Sequence, residues 1–181
     1  MGGLGIKKLN WQNEALGAKL SWRLYKEHNQ KWARILYNKY LNANDPLSIF
    51  RMKSLPKGSD SWNFIAKSRY LITKYLTWDI GNGQDALFWE DSWDGLPPLD
   101  SQGHLVECKN LLSHHWGDKV KDYMILNNDQ KWTWKSIENL NLDPTIKKIY
   151  QNIITHRPIK QVDREDKLIW AASKLGNYNV K

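Results

Sequence analysis

The sequence predicts a mainly α fold, a small helical domain with one or two short β-hairpins around 76–90 and 166–181. Three observations predict it. Apolar residues recur at helical spacing through most of the first 76 positions. Asn82-Gly83 separates two short β-type runs, and Gly176-Asn177 follows a third. Aromatic residues make up 12% of the 181, eleven of them Trp, although mean hydropathy is −0.69. Disordered chains lack that aromatic content, so a folded core is expected.

The first helix is expected over 10–28, with Asn10 as N-cap. Trp11, Ala15, Ala18, Trp22 and Tyr25 follow i, i+4, i+7, i+11, i+14 spacing, and Leu16, Leu20 and Leu24 form a second stripe. Two apolar stripes predict a helix covered on both sides. Lys19, Arg23 and Lys26 lie between the stripes as a narrow basic ridge. A second helix is expected over 30–41 from Trp32, Leu36 and Tyr40, and Asn44-Asp45-Pro46 then turns the chain. Gly58-Ser59-Asp60-Ser61 supplies caps for a third helix, with Trp62, Ile65, Arg69, Ile72 and Leu76 on one side. Leu76–Ile80 and Ala86–Trp89 are β-type runs around Gly81-Asn82-Gly83, the dipeptide that a type I′ hairpin turn favours. Helices are further expected over 118–126 and 132–140. Asp143-Pro144, an N-cap followed by Pro at the first helical position, opens a helix that Arg157-Pro158 stops.

The net charge of +8 is unevenly distributed. Residues 1–75 carry fourteen Lys/Arg against four Asp/Glu, 76–130 carry three against ten, and 131–181 carry ten against five. A basic–acidic–basic layout points to a polyanionic partner, RNA or DNA, on the basic parts. In the first part cations interleave with aromatics (Arg51, Lys53, Lys67, Arg69, Tyr70, Lys74, Tyr75). That pattern suits single-stranded or structured RNA, because bases stack on rings while cations take phosphates. The candidate nucleic-acid contacts are Lys7, Lys8, Lys19, Arg23, Lys26, Arg34, Lys67, Arg69 and Lys74. One cysteine, Cys108, leaves no internal disulfide and fits a nuclear or cytoplasmic setting. No apolar run approaches a membrane span, so no membrane partner is expected.

Catalytic and metal-binding readings are weaker. Asp79, Asp85, Glu90, Asp91 and Asp94 are dense, but Glu90 and Asp91 are neighbours and would point to opposite faces of a strand. A solvated acidic hairpin accounts for them better than a two-metal nuclease site. His104, Cys108, His114 and His115 offer a single thiol, short of the paired ligands of a structural zinc site. Gly2-Gly3-x-Gly5 lacks both the preceding strand and the GKS/T ending of a phosphate loop. Neither cofactor nor metal is expected.

A particular order of motifs runs through the chain: Gly2-Gly3-Leu4-Gly5-Ile6, Asn13-Glu14-Ala15-Leu16, Trp22-Arg23, Ser61-Trp62, Trp78-Asp79-Ile80-Gly81-Asn82-Gly83, Phe88-Trp89-Glu90-Asp91-Ser92-Trp93, then Asp166-x-x-x-Trp170 and Gly176-x-Tyr178-x-Val180-Lys181. It resembles the stretch downstream of the polymerase core in LINE-type (non-LTR) retrotransposon reverse transcriptases of plant type. The resemblance implies a non-catalytic connector between the thumb and a C-terminal zinc-binding or RNase H region. It also implies contact with template RNA or target DNA during target-primed reverse transcription, and a polymerase domain of the same polyprotein as a neighbour. The family's aromatic-Ala-Asp-Asp polymerase motif is missing, and the sequence ends at Lys181 before the zinc ligands. The expected organisation is a basic helical connector (1–76), an acidic hairpin and loop (77–100), a helical region (101–165) and the start of a truncated zinc-binding segment (166–181). A structural adaptor docking on a polymerase domain, with no nucleic-acid contact of its own, is the alternative.

Overall fold

The computed structural model describes residues 9–93, 110–129, 131–159, 163–173 and 175–178. They fall into two compact units: one runs to Leu76 and takes in the tail from Ala172, and the other spans Thr77–Ala171.

The first unit is helical. Its elements are α1 (Leu9–Lys26), α2 (Lys31–Tyr40), α3 (Ser48–Arg51), α4 (Asp60–Ser68) and α5 (Tyr70–Thr73). Asn10 lies inside α1, one residue past its first described position, so it does not cap that helix. The expected third helix is split at Arg69 into α4 and α5. Ser59 caps α4, its side chain accepting the Trp62 backbone N–H at 3.3 Å. The core is Leu24, Ala33, Tyr37, Ile49, Trp62 and Ile65. Trp62 is stacked on Tyr40 at 4.6 Å between ring centroids, and its indole N–H donates to the Pro56 carbonyl at 2.8 Å. Small residues let α1 approach α4 closely. A Cβ at Gly17 would overlap the Ser68 hydroxyl, and the buried Ser21 hydroxyl reaches across to the Ile65 carbonyl at 3.0 Å. From the tail, the Tyr178 hydroxyl donates to the Ala15 carbonyl at 3.2 Å.

The second unit departs most from expectation. Its strands are β1 (Leu76–Asp79), β2 (Met124–Leu126), β3 (Trp132–Trp134) and β4 (Lys167–Trp170), and its long helix is α6 (Pro144–His156). β1 pairs with β4, some ninety residues away, and not with the run after Gly83. The hairpins expected at 76–90 and 166–181 are thus corrected: one strand from each region joins the other. The reason is Asp166. Its carboxylate accepts the backbone N–H groups of Gly81 (2.7 Å), Gly83 (2.9 Å), Asp85 (2.9 Å) and Ala86 (3.3 Å), holding 81–86 as a loop where a hairpin turn would lie. Beside it, Arg164 forks onto the Asp79 carboxylate at 2.7 and 3.0 Å and donates to the Ile80 carbonyl at 2.9 Å. Gly81 has to be glycine here, because a Cβ would overlap the Arg164 carbonyl oxygen.

The helices expected at 118–126 and 132–140 are also corrected. Val120–Tyr123 and Ile137–Asn139 are single 3₁₀ turns, and β2 and β3 form an antiparallel hairpin with Met124 opposite Trp134 and Leu126 opposite Trp132. The Asn127 side-chain oxygen accepts from Asp129 and Lys131, which builds the turn. α6 starts where Asp143-Pro144 predicts, with the Asp143 carboxylate accepting the Thr145 N–H at 2.8 Å.

Aromatic residues make this core. Phe88 lies 4.3–6.1 Å from the rings of Trp89, Trp93, Tyr123, Trp134 and Tyr150. Their polar ends are satisfied: Trp89 donates to the Tyr123 hydroxyl, Tyr123 to Asp118, Trp93 to the Phe88 carbonyl and Tyr150 to the Lys135 carbonyl. A buried indole or phenol needs such a partner, and this core provides one for each of these four.

Candidate nucleic-acid interface

α1 carries the ridge that the sequence marks. Its small side (Gly17, Ala18, Ser21) together with Trp22 and Leu24 is buried, whereas Leu16 of the second apolar stripe is 50% exposed and Trp11 of the first 68%. The expectation that both stripes are covered therefore fails among the described residues. The uncovered side of α1 lies along an open groove of about 470 Å³, lined by Asn13, Leu16, Lys19, Leu20, Arg23 and Phe64. Its lining combines apolar and aromatic side chains with two cations one helical turn apart.

The candidate contacts take different positions. Lys7 and Lys8 lie outside the described residues. Lys19 and Arg23 line the groove. Arg23 forks onto the Glu27 carboxylate at 2.8 and 2.9 Å, and its guanidinium lies 5.6 Å from the Trp32 ring centroid. That pairing raises the Arg23 pKa and holds Glu27 below the usual carboxylate range. The Lys26 ammonium sits 5.1 Å from the ring centroids of both Trp22 and Tyr25, a cation–π contact on an exposed side chain. Lys74 stands over Tyr75 at 5.5 Å, with Tyr75 itself exposed, and Lys67 is exposed in the last turn of α4. Arg34 projects from α2 beside a separate polar pocket.

Arg69 has a different occupation. Its guanidinium donates to the carbonyls of Ile49 (2.6 Å), Met52 (2.7 Å) and Lys53 (3.2 Å), closing the end of α3. Burial lowers its pKa. Its N–H groups satisfy helix-end carbonyls, which is the work of a structural arginine. Sequence reasoning placed Arg69 on the apolar side of the third helix as well as among the cations, and the inward placement is the one found. It missed Asn13, Leu16, Leu20 and Phe64 as groove residues. The signal available was the second Leu stripe, which is too short of small residues to pack as closely as the Gly17–Ser21 side.

Three of the acidic residues that the sequence offered as a metal site have structural partners in the second unit. Asp79 holds Arg164, the Asp91 carboxylate accepts the Leu87 N–H, and Glu90 accepts the Gly117 N–H. His115 faces Asp118 at 2.9 Å; His104 and Cys108 lie outside the described residues. No cluster of three His, Cys, Asp or Glu suited to a metal occurs among the described residues, and no helix there is long and apolar enough to cross a membrane.

Two curated plant proteins are similar to this chain. Over 189 aligned residues it is 27% identical to the "Putative ribonuclease H protein At1g65750" of Arabidopsis thaliana, covering 99% of this chain and 27% of that protein. It is 32% identical over 103 residues to the "Uncharacterized mitochondrial protein AtMg00310" of the same plant, covering 55% of this chain and 65% of the relative. The chain spans about a quarter of the first relative's length and about two thirds of the second's. No family model matches the chain, and no solved structure does.

Proposed function

We propose that this chain is a non-catalytic, nucleic-acid-binding connector of a LINE-type reverse transcriptase, gripping template RNA or target DNA beside the polymerase domain during target-primed reverse transcription. The groove along α1 carries the reading. Lys19 and Arg23 on its rim suit phosphates, while Leu16, Leu20 and Phe64 give unstacked bases an apolar and aromatic floor. Cationic rims over stacking floors are how single strands are held without sequence readout. The basic surplus of residues 1–75 raises the local concentration of such a polyanion.

The test is binding of a fluorescein-labelled structured RNA and a single-stranded DNA at several salt concentrations. Affinity should fall steeply with salt. Lys19→Glu with Arg23→Glu should weaken it and reduce the magnitude of the salt slope by about 1.4, two contacts at about 0.7 each. Unchanged affinity in that variant would remove the groove from the account.

The same groove favours one second reading, a structural adaptor. Its apolar floor also fits the face of an amphipathic helix of a polymerase domain, with acidic residues meeting Lys19 and Arg23. That occupant predicts no RNA binding, together with capture of the polymerase domain that Leu16→Asp abolishes.

A further inference from the structure

A second concavity in the first unit is unlike the groove. It measures about 200 Å³ and is lined by His28 and Asn29 at the α1–α2 turn, Arg34, Tyr37 and Asn38 on α2, and Ala43, Asn44 and Pro46 in the loop after it. Drug-sized ligands occupy pockets of about 300–1,000 Å³, so this one takes something smaller. The Tyr37 hydroxyl donates to the Pro46 carbonyl at 2.6 Å, tying the loop to α2, and burial pushes that hydroxyl's pKa well above its ordinary value.

The lining is polar, and the side chains of Asn29, Asn38, Asn44 and Arg34 are solvent-exposed, so each can turn toward a ligand. His28 adds one more group. Its Nδ1 lies 3.0 Å from the Tyr25 carbonyl, which can only accept, so Nδ1 donates there and Nε2 is the ring nitrogen left for a ligand. Three carboxamides, an imidazole and a guanidinium thus share one small polar space.

We infer that this pocket receives the base of one unstacked nucleotide of a bound RNA strand, with carboxamides on the base edge and Arg34 reaching the flanking phosphate outside it. A bare phosphate fits less well, because it only accepts and would engage the amide N–H groups alone, leaving the acceptor half of each carboxamide unmatched. A base edge presents donors and acceptors side by side, which is what a carboxamide matches bidentately. An apolar peptide side chain fits less well, because most of the lining is polar. Bases splayed from single strands are read on such edges. The inference rests on the connector reading, to which it adds base preference: the groove grips any strand, and this pocket discriminates between bases.

The experiment measures affinity of the full chain for labelled rA12, rC12 and rU12 by anisotropy at fixed salt, repeated for Asn38→Ala/Asn44→Ala and for Lys19→Glu/Arg23→Glu. Both asparagines are exposed, and circular dichroism confirms folding of each variant. The wild type should bind one oligomer about fivefold or more tighter than another, the lower end for one bidentate amide–base pair. The asparagine variant should bring all three within about twofold while keeping the salt slope. The ridge variant should weaken all three alike and keep their order. Equal affinities in the wild type, or a preference that survives in the asparagine variant, would overturn the pocket and leave the connector standing. If no oligomer binds, the connector reading falls too.

Discussion

Asp166 is the residue on which the second unit turns, because one carboxylate accepts four backbone N–H groups from a loop some eighty positions earlier. Hydrogen bonds to a charged acceptor contribute more than neutral ones, and removing the acceptor leaves each part-buried donor unmatched. Asp166→Ala should therefore destabilise this unit by about 2–4 kcal/mol, read as a lower urea midpoint by tryptophan fluorescence. A loss below about 1 kcal/mol would mean that water replaces the carboxylate freely. In the first unit Gly17 makes the comparable point with opposite chemistry. Alanine is the better helix former by about 1 kcal/mol, yet a Cβ at 17 would overlap the Ser68 hydroxyl and touch Phe64 at 3.0 Å. Gly17→Ala should lower the melting temperature despite its propensity gain. A rise would show that α1 and α4 can separate at little cost. The sequence marked Asp166 as part of a motif but gave no local sign of its partner at 81–86, and Gly17 looks like a weakness inside a helix.

Among the elements, α6 was read most completely. Asp143 caps it, Pro144 begins it, and Ile146, Tyr150 and Ile153 are its buried face, all local signals that tertiary packing left in place. Asp143→Ala should cost about 1 kcal/mol in the second unit's denaturant midpoint, with Asp143→Ser restoring most of it. The failures have a common cause. Residues 118–126 and 132–140 hold apolar residues too closely spaced to separate a helical turn from a strand, and pairing between β2 and β3 decided for strand. β1 was foreseen but its partner was not, since an Asn-Gly turn signal is weaker than four hydrogen bonds to one carboxylate. At the candidate interface, helical periodicity placed Lys19, Arg23 and Lys26 along one edge of α1. The groove, however, requires Phe64 from α4.

At the scale of the molecule, buried phenols set the alkaline limit. Burial pushes the Tyr150 hydroxyl up to about 12 and raises those of Tyr37 and Tyr123 further, from an ordinary value near 10. The fold favours the protonated form. This contribution is therefore complete below about pH 10, where folded and unfolded tyrosines are both neutral, and is lost as pH rises toward the folded values. Over that window the loss is about 1.4 kcal/mol per pH unit for each such tyrosine. Tyrosinate absorbance should consequently rise in two steps: the less buried tyrosines first, led by Tyr40, whose pKa is lowered by the hydrogen bond from the Ser59 backbone N–H, and then the three buried phenols together with loss of ellipticity above about pH 11. Early titration of those three in a folded chain would mean that the cores admit water.

The sequence by itself determined that the chain is mostly helical, that its first part is a basic, aromatic-rich helical unit, and where the strongly capped helices α4 and α6 begin. Those features are local: caps, periodicity and charge act within a few residues of themselves. Only the tertiary structure decided that β1 belongs with β4, that Arg69 points inward to the end of α3, and that α1 leaves its Leu16 side open beside Phe64. Each of these depends on groups far apart in the chain meeting across a packed surface. A carboxylate, a guanidinium or a methyl group takes its role from those neighbours, and spacing along the chain does not specify them.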